Sequence, residues 1–523
     1  MKSTNVHAEQ EGESTLLIEA NHDTALTLEV PARSLPEVPT AIPSTLSRTT
    51  VHLSAVIPAL NEAENLRELL PRLAQTLSNL ARSFEIIVVC GPSNDGTEDV
   101  ARAQGARVIR QAELGYGRAL EEGFRAARGS YILTLDGDQS HDPAFIEALW
   151  QARQHADMVI GSRYVEDGGS DADRFRGGLS RVLNTALRCA LDINLMDLSS
   201  GFRLYRSGVV NEMTILRHDF SALVEIAVKA YADGWNVTEV PFHYRERRNG
   251  QSHAQVVRFG LGFVQSAYRM WRLRNSIACA DYDARAYKSR IAFQRYWQRS
   301  RCEIINRLAS GQGRILDIGC GTSHALEMLK GSVTGLDIQV NKLRYARGYG
   351  VPRTQADAFH LPYTSESFDC VVCSQLIEHL PAGLEPFDEM MRVLKPGGRL
   401  VLGTPDYGTV TWPAIERVYG VVARGAYADE HITQYTKAGL IELLESYGIT
   451  IQSIEYVFGS ELIISGTKDG APAYPTNLLG EQLPFPRTVR RDLSHKFALK
   501  RTWVAIVKAY LKLRQSAAQQ GAA

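Results

Sequence analysis

Three groups of residues in this chain have types and spacings that could do chemistry. Asp136-Gly137-Asp138 places two carboxylates on a turn at the mouth of the apolar run Tyr131–Leu135. Such a pair is costly unless something cationic sits between its members, and an oxygen-loving divalent ion carrying a diphosphate suits it. Asp317-Ile318-Gly319-Cys320-Gly321 leads another apolar run into a glycine turn, where missing side chains let the backbone approach a ligand. Asp337 ends the next run and is placed to grip ribose hydroxyls. A nicotinamide site would prefer a third glycine at position 324, where this chain has His324. The third group is cationic or basic. Arg163, Arg203, Arg245 and Arg247 could hold a phosphate, Arg203 best of all, because guanidinium matches phosphate geometry. His379 and His431 could act as neutral bases toward a hydroxyl.

The elements that must position these groups alternate. Val51–Ile57 predicts a strand closed by Pro58, and Asn61–Glu64 has capping-box character opening a helix through Leu80. Strands over Glu85–Val89 and Ala106–Ile109 follow, then a helix ending near Gly129 and the strand Tyr131–Leu135. Strands alternating with helices predict a mostly parallel sheet, with ligands at the carboxyl ends of its strands. Pro58–Asn61, Gly91–Thr97, Gly115–Arg118 and Asp136–Asp142 are four such ends. Val256–Trp271 reads as an amphipathic helix, Phe259, Phe263, Val264 and Trp271 interleaving with Arg258 and Arg269, fit either to lie on a membrane or to close the domain. A second series begins with a lead-in helix over 281–308 and ends in an antiparallel hairpin, Ile454–Phe458 with Leu462–Thr467.

At 523 residues the chain needs more than one core. Its 58 basic and 58 acidic residues imply no whole-chain attraction to nucleic acid. Seven scattered cysteines fit a reducing compartment, and Cys370 and Cys373 should face opposite sides of one strand. No leader or run of 18 apolar residues is present, so a cytoplasmic protein, with peripheral contact on the inner membrane face allowed, is expected. Residues 1–50 read as a disordered tail. Residues 471–523 read as a Pro-rich linker and a basic amphipathic helix over 490–515, suited to anionic lipid or to docking on its own chain.

The motifs Ile57-Pro-Ala-Leu-Asn-Glu62, Ser93-Asn-Asp-Gly-Thr97, Gly115-Tyr-Gly117, Asp136-Gly-Asp138-Gln-Ser-His141, Gly161-Ser-Arg-Tyr164, Asp197–Arg203 and Glu239-Val-Pro241 stand in one order. In that order the chain resembles the family 2 glycosyltransferases, in particular their polyprenyl-phosphate (dolichol-phosphate mannose synthase-like) branch. The resemblance implies a GT-A fold over 51–275, a GDP- or UDP-linked sugar donor, and Mg²⁺ or Mn²⁺ held by Asp136 and Asp138. Pro58, Glu62 and Asp95 would line the nucleotide pocket. Cys90-Gly91 departs from the two aspartates usual there, which leaves the donor's base open. Asn249-Gly-Gln-Ser-His253 has His where the family's turn has Lys.

Leu316-Asp-Ile-Gly-Cys-Gly321, Asp337, Ala356-Asp-Ala358, Phe368-Asp369, Glu378-His379 and Leu394-Lys-Pro-Gly-Gly398 likewise resemble the class I S-adenosylmethionine methyltransferases. That implies a Rossmann-like domain within 276–470 and cofactor contacts at Asp317, Gly319, Gly321, Asp337 (ribose) and Asp357 (adenine). The whole is expected to be an α/β enzyme with two activities, sugar transfer to a lipid phosphate or glycan and methyl transfer to a glycan or lipid, with Asp136, Asp138, Arg203 and His379 as catalytic residues. The alternative is that one domain is silent and serves as a scaffold. A nucleic-acid methyltransferase is disfavoured, because no broad basic surface or Asn/Asp-Pro-Pro-Tyr-type motif occurs.

Overall fold

The computed structural model describes residues 51–171, 174–211, 213–246, 256–422 and 431–469. The N-terminal tail, Arg247, the Asn249–His253 turn, the Pro-rich linker and the basic C-terminal helix lie outside the described residues, as do the side chains of Arg258, Phe259, Phe263 and Val264.

The apolar runs of the first half become strands β1 (Leu53–Ala59), β2 (Phe84–Cys90), β3 (Arg107–Arg110), β4 (Tyr131–Thr134), β5 (Met158–Ser162), β6 (Gly169–Ser170), β7 (Arg203–Arg206), β8 (Val237–Pro241) and β9 (His243–Tyr244). Seven of them form one sheet in the order β3-β2-β1-β4-β7-β5-β8, while β6 and β9 pair separately. Only β7 runs against its neighbours, β4 and β5. Both faces are covered. Val56, Ile87, Val89 and Ile132 pack on one side, and Leu53, Ala55, Ile57, Val88 and Leu133 on the other. That is why these strands read as continuous apolar runs instead of alternating ones. Each Val, Leu or Ile among them, fully buried, contributes roughly 1.5–3 kcal/mol.

The helix Ala63–Leu80 forms as expected, but its start differs from the expected capping box. Asn61 takes a left-handed φ of 55° and no side chain of the helix's own caps it. Its first amides are met by the next loop instead: Glu62 N donates to Thr97 Oγ1 and Ala63 N to Asp95 Oδ2. The helix Val256–Arg274 closes the domain at its C-terminal end, where Met270 joins the core and the fully buried Arg274 pairs with Asp281 at 2.6 Å.

The second half contributes β10 (Arg314–Ile318), β11 (Ser332–Asp337), β12 (Arg353–Gln355), β13 (Phe368–Ser374), β14 (Leu394–Pro405), β15 (Ile449–Val457) and β16 (Glu461–Lys468), in the order β12-β11-β10-β13-β14-β16-β15. The β15–β16 hairpin is antiparallel and β16 also runs against β14. Cys370 and Cys373 are free, buried and in opposite cores. The expected lead-in helix is two helices, Tyr282–Tyr287 and Ala292–Ala309. Arg301 anchors the second on the hairpin through a paired, fully buried Glu461, which also accepts from Trp297 Nε1.

The two halves touch through a helix and a turn. The helix Val340–Tyr345, next after β11, rests on the turn Asp233–Trp235 of the first half. Arg344 donates to Asp233 O and covers the Trp235 ring at 3.6 Å, Arg347 pairs with Asp157 at 2.8 Å, and Asn341 donates to Ala278 O.

Candidate functional site

At the carboxyl end of β4 the chain turns through Asp136–Asp142. The Asp136 amide donates to His141 Nδ1, and Asp138 Oδ1 accepts from both Ser140 N and Ser140 Oγ, so the turn is folded on itself. From above, Tyr116 donates to Asp136 Oδ1 at 2.8 Å. From the side, the loop Ser200–Gly201 presses so close that a Cβ on Gly201 would meet the Tyr116 hydroxyl at 2.6 Å and Asp136 Oδ1 at 3.4 Å. Burial first, then the neighbouring Asp138, push the Asp136 carboxyl above its ordinary range, against the pull of His141 and Arg163. A group of carboxylate oxygens that resists ionisation by itself is what a hard divalent cation relieves, so these residues fit Mg²⁺ or Mn²⁺.

Glu62, nearly buried, reaches the same mouth, its Cγ 3.6 Å from where a Gly137 Cβ would stand, and accepts from Asn65 Nδ2. Pro58 is half-buried in β1, opposite Val89. Asp95 is exposed, but both its oxygens bind backbone amides, of Ala63 and Thr97, which lowers its pKa against the burial that opposes it. It clasps two loops together at the pocket wall.

The arginines divide. Arg203, expected to hold a phosphate, is fully buried, and its guanidinium donates to the carbonyls of Ser200, Leu223 and Leu198. That expectation is corrected: a fully buried guanidinium turned onto three backbone carbonyls does not face a ligand, and Arg203 instead holds from behind the loop that Gly201 presses on Asp136. Arg163 is committed to Asp197 and Ser199. Burial would raise Asp197, yet the Arg163 hydrogen bonds outweigh it and hold the carboxyl low. Arg245 is half-exposed and shares Asp142 with Arg72. Sequence reasoning missed Tyr116; its signal was its place between Gly115 and Gly117, where Gly115 has φ 128° and a side chain on either glycine would strike Arg217 or His218.

In the second half, Gly319 and Gly321 have φ of 69° and 52°, and a Cβ on Gly319 would meet Leu376 at 2.9 Å. The turn is tied to β11 by Gly321 N, which donates to Asp337 Oδ2 at 2.8 Å, while Gln339 N donates to Oδ1. Burial, reinforced by Asp337, pushes Asp317 up to about 7. A cationic ligand beside the Asp317 and Asp337 carboxylates is favoured, and an extended sulfonium cofactor fits this glycine cradle. Asp357 is exposed and accepts from Phe359 N. Asp283 and Lys342, which the sequence reading passed over, also stand against the turn, 3.6 Å apart.

His379 ends the short turn after β13, and the structure brings it to His431, ring centroids 5.0 Å apart. Beside them Glu378 is fully buried, its carboxyl raised by that burial to about 8.

Comparison with known proteins agrees with this geometry. Residues 54–214 match the model of glycosyl transferase family 2, and residues 316–402 match a methyltransferase domain. The chain carries one domain of each family. The glycosyltransferase domain is GT-A-like and the methyltransferase domain Rossmann-like. The first is similar to dolichol-phosphate mannosyltransferase of Pyrococcus furiosus, 34% identical over 38% of this chain and 58% of that protein. It is also similar to undecaprenyl-phosphate 4-deoxy-4-formamido-L-arabinose transferase of Pseudomonas fluorescens, 30% identical over 39% of this chain and 61% of the other. The chain thus spans about three fifths of the length of these curated relatives. Among solved structures, glucosyl-3-phosphoglycerate synthase of Mycobacterium tuberculosis is 20% identical over 44% of this chain and 81% of its own, with a TM-score of 0.33. Among the described residues no helix is long and apolar enough to cross a membrane.

Proposed function

We propose that the chain is a bifunctional transferase, in which 51–275 moves a sugar from a GDP- or UDP-linked donor to a polyprenyl phosphate or related glycan, and 276–470 methylates a glycan or lipid with S-adenosylmethionine. The observation that carries the first activity is the half-buried Asp136 beside Asp138, its carboxyl raised by its partial removal from water and held by Tyr116 at 2.8 Å. Asp136 and Asp138 would hold Mg²⁺ or Mn²⁺, which when bound supplies charge neutralisation to a departing nucleoside diphosphate. Tyr116 fixes the Asp136 rotamer, Glu62 and Asp95 shape the nucleotide wall, and the half-exposed Arg245 is the described arginine best able to meet an anionic acceptor. A lipid phosphate is already an anion and needs no general base. Both curated relatives are named for transfer involving a polyprenyl phosphate, which supports this acceptor class.

For methyl transfer, Gly319 and Gly321 would leave backbone room for the cofactor, Asp337 would offer its remaining lone pairs to ribose hydroxyls, and Asp357 would meet the adenine. The reaction is an in-line displacement, so holding the two partners in line supplies much of the rate.

One observation favours a second reading of the first domain, binding without turnover: a Cβ added at Gly91, where a base-binding carboxylate would project, would meet Leu60 Cδ1 at 3.1 Å and Gln111 Oε1 at 3.5 Å. Calorimetric titration of GDP-mannose and UDP-glucose, each with Mn²⁺, into the intact protein and Asp138→Ala tests both. Tight binding of one donor, lost in the variant, followed by sugar transfer to a polyprenyl phosphate, supports the proposal. Binding without transfer supports the second reading, and binding of neither sinks the first.

A further inference from the structure

Glu378 and His379 come from the short turn that follows β13, and His431 from a segment far along the chain, yet one ligand atom from each lies within 4.8 Å of the others. The backbone enforces this meeting. Ile432 N and Thr433 N both donate to Glu378 O, at 2.8 and 3.0 Å, and Thr433 Oγ1 donates to Leu380 O at 2.7 Å. His431 cannot leave Glu378 without breaking that clamp.

The side chains are prepared in a particular way. Glu378 is fully buried; its Oε2 accepts from Thr404 Oγ1 at 3.2 Å, and its Oε1 has no hydrogen-bond partner among the described residues. Leaving a buried carboxylate oxygen unmet is costly unless a ligand completes it. The His431 side chain is 2% exposed, and Trp412 stacks on its ring. Tyr407 lies 2.8 Å from His431 Nδ1 and donates to Glu416 Oε1 at 3.1 Å. With its one proton given to Glu416, Tyr407 accepts from Nδ1–H, which puts the imidazole lone pair on Nε2. A carboxylate acting through a hydroxyl to fix a histidine's tautomer is the outer support seen around metal-bound imidazole.

We propose that Glu378, His379 and His431 form a divalent transition-metal site in the methyltransferase domain, distinct from the Asp136–Asp138 pair. Two imidazoles and one carboxylate favour a borderline ion such as Zn²⁺ over Mg²⁺, and three protein ligands leave one position for an oxygen donor. Metal–ligand bonds of about 2.0–2.2 Å require the three side chains to draw together on binding. The site follows the same strand as Leu376, which abuts Gly319 in the glycine turn, so an oxygen held there belongs to the acceptor side of that domain.

The test uses the full chain carrying Asp138→Ala, so that the first carboxylate pair does not contribute, stripped with a chelator. Zn²⁺ is titrated by calorimetry and Co²⁺ by visible absorption. One equivalent should bind, with ligand-field bands and no thiolate charge transfer. His431→Ala should weaken it by more than about 100-fold, and Tyr407→Phe by about tenfold. The metal-free unfolding midpoint of each variant shows whether it is folded, and His379→Gln replaces any that is not. The absence of stoichiometric binding, a thiolate band, or affinity indifferent to His431→Ala and His379→Gln overturns the site. None of these readouts depends on either transfer activity.

Discussion

The Tyr116 hydroxyl and Asp136 Oδ1 stand 2.8 Å apart, joining the glycine-flanked start of one helix to the metal-type turn of the central strand. Neither group is placed by its own loop alone. Gly201 lets the contact exist, since a side chain there would enter the space between them.

Tyr116→Phe therefore removes one hydrogen bond to a carboxylate that is not meant to be free. Mn²⁺-dependent donor binding should weaken by roughly 10–100-fold, the range expected for a hydrogen bond to a charged group. The unfolding midpoint should change little. Equal donor affinity in the two proteins would show that the contact is incidental.

Arg203→Met separates a structural arginine from a phosphate-binding one. Its three carbonyl partners would each lose a charged donor, so the cost should be about 3–5 kcal/mol in chemical denaturation, from roughly 1–3 kcal/mol for each buried group left short. Donor and acceptor KM in the folded fraction should stay near the parent's. A stable variant with a raised acceptor KM would restore the phosphate role.

Asp317 makes apo-protein stability pH-dependent. Its folded pKa, about 7, lies above the ordinary value near 3.9. Stability is therefore fully present below about pH 4 and is lost as pH rises through 7, because the unfolded chain releases the proton first. Denaturation at pH 5 and pH 8 should differ by a few kcal/mol more in the parent than in Asp317→Asn. The same slope in both would assign the effect elsewhere.

Gly234 has φ 75°, and a side chain there would run into the Asn341 carbonyl of the methyltransferase half. Gly234→Val should destabilise by about 1–3 kcal/mol. Arg347→Ala, whose ion pair with Asp157 is half-exposed, should cost under about 1 kcal/mol. Urea titration of both variants checks the contrast, and an inert Gly234→Val would mean that the two halves do not hold this contact in solution.

The alternation of strands and helices, and the loops that carry the motifs, were legible because buried parallel strands must be apolar and their carboxyl-end turns must be polar or glycine-rich. Direction was less legible. Arg203 lies in a motif beside the site, yet it points into the core, where the carbonyls of Leu198, Ser200 and distant Leu223 receive it. The start of Ala63–Leu80 looked self-capped, whereas Asp95 and Thr97 supply its caps. The convergence of Glu378, His379 and His431 is set by strand ends and a backbone clamp, for which no local pattern exists. The break between Tyr282–Tyr287 and Ala292–Ala309 was hidden by an unbroken amphipathic composition.

The junction between the halves has a practical meaning for anyone who would cut the gene in two. A break after residue 275 parts Arg274 from Asp281, stranding one guanidinium and one carboxylate that are now sealed together. The same cut strips Arg344 from the Trp235 ring and uncovers the turn at Asp233. Each half would then carry a sticky, charged scar that the whole protein does not have. A weak or insoluble fragment would report on that scar rather than on its catalytic competence, so silencing one site by point substitution in the full chain is the sounder way to ask what each half does.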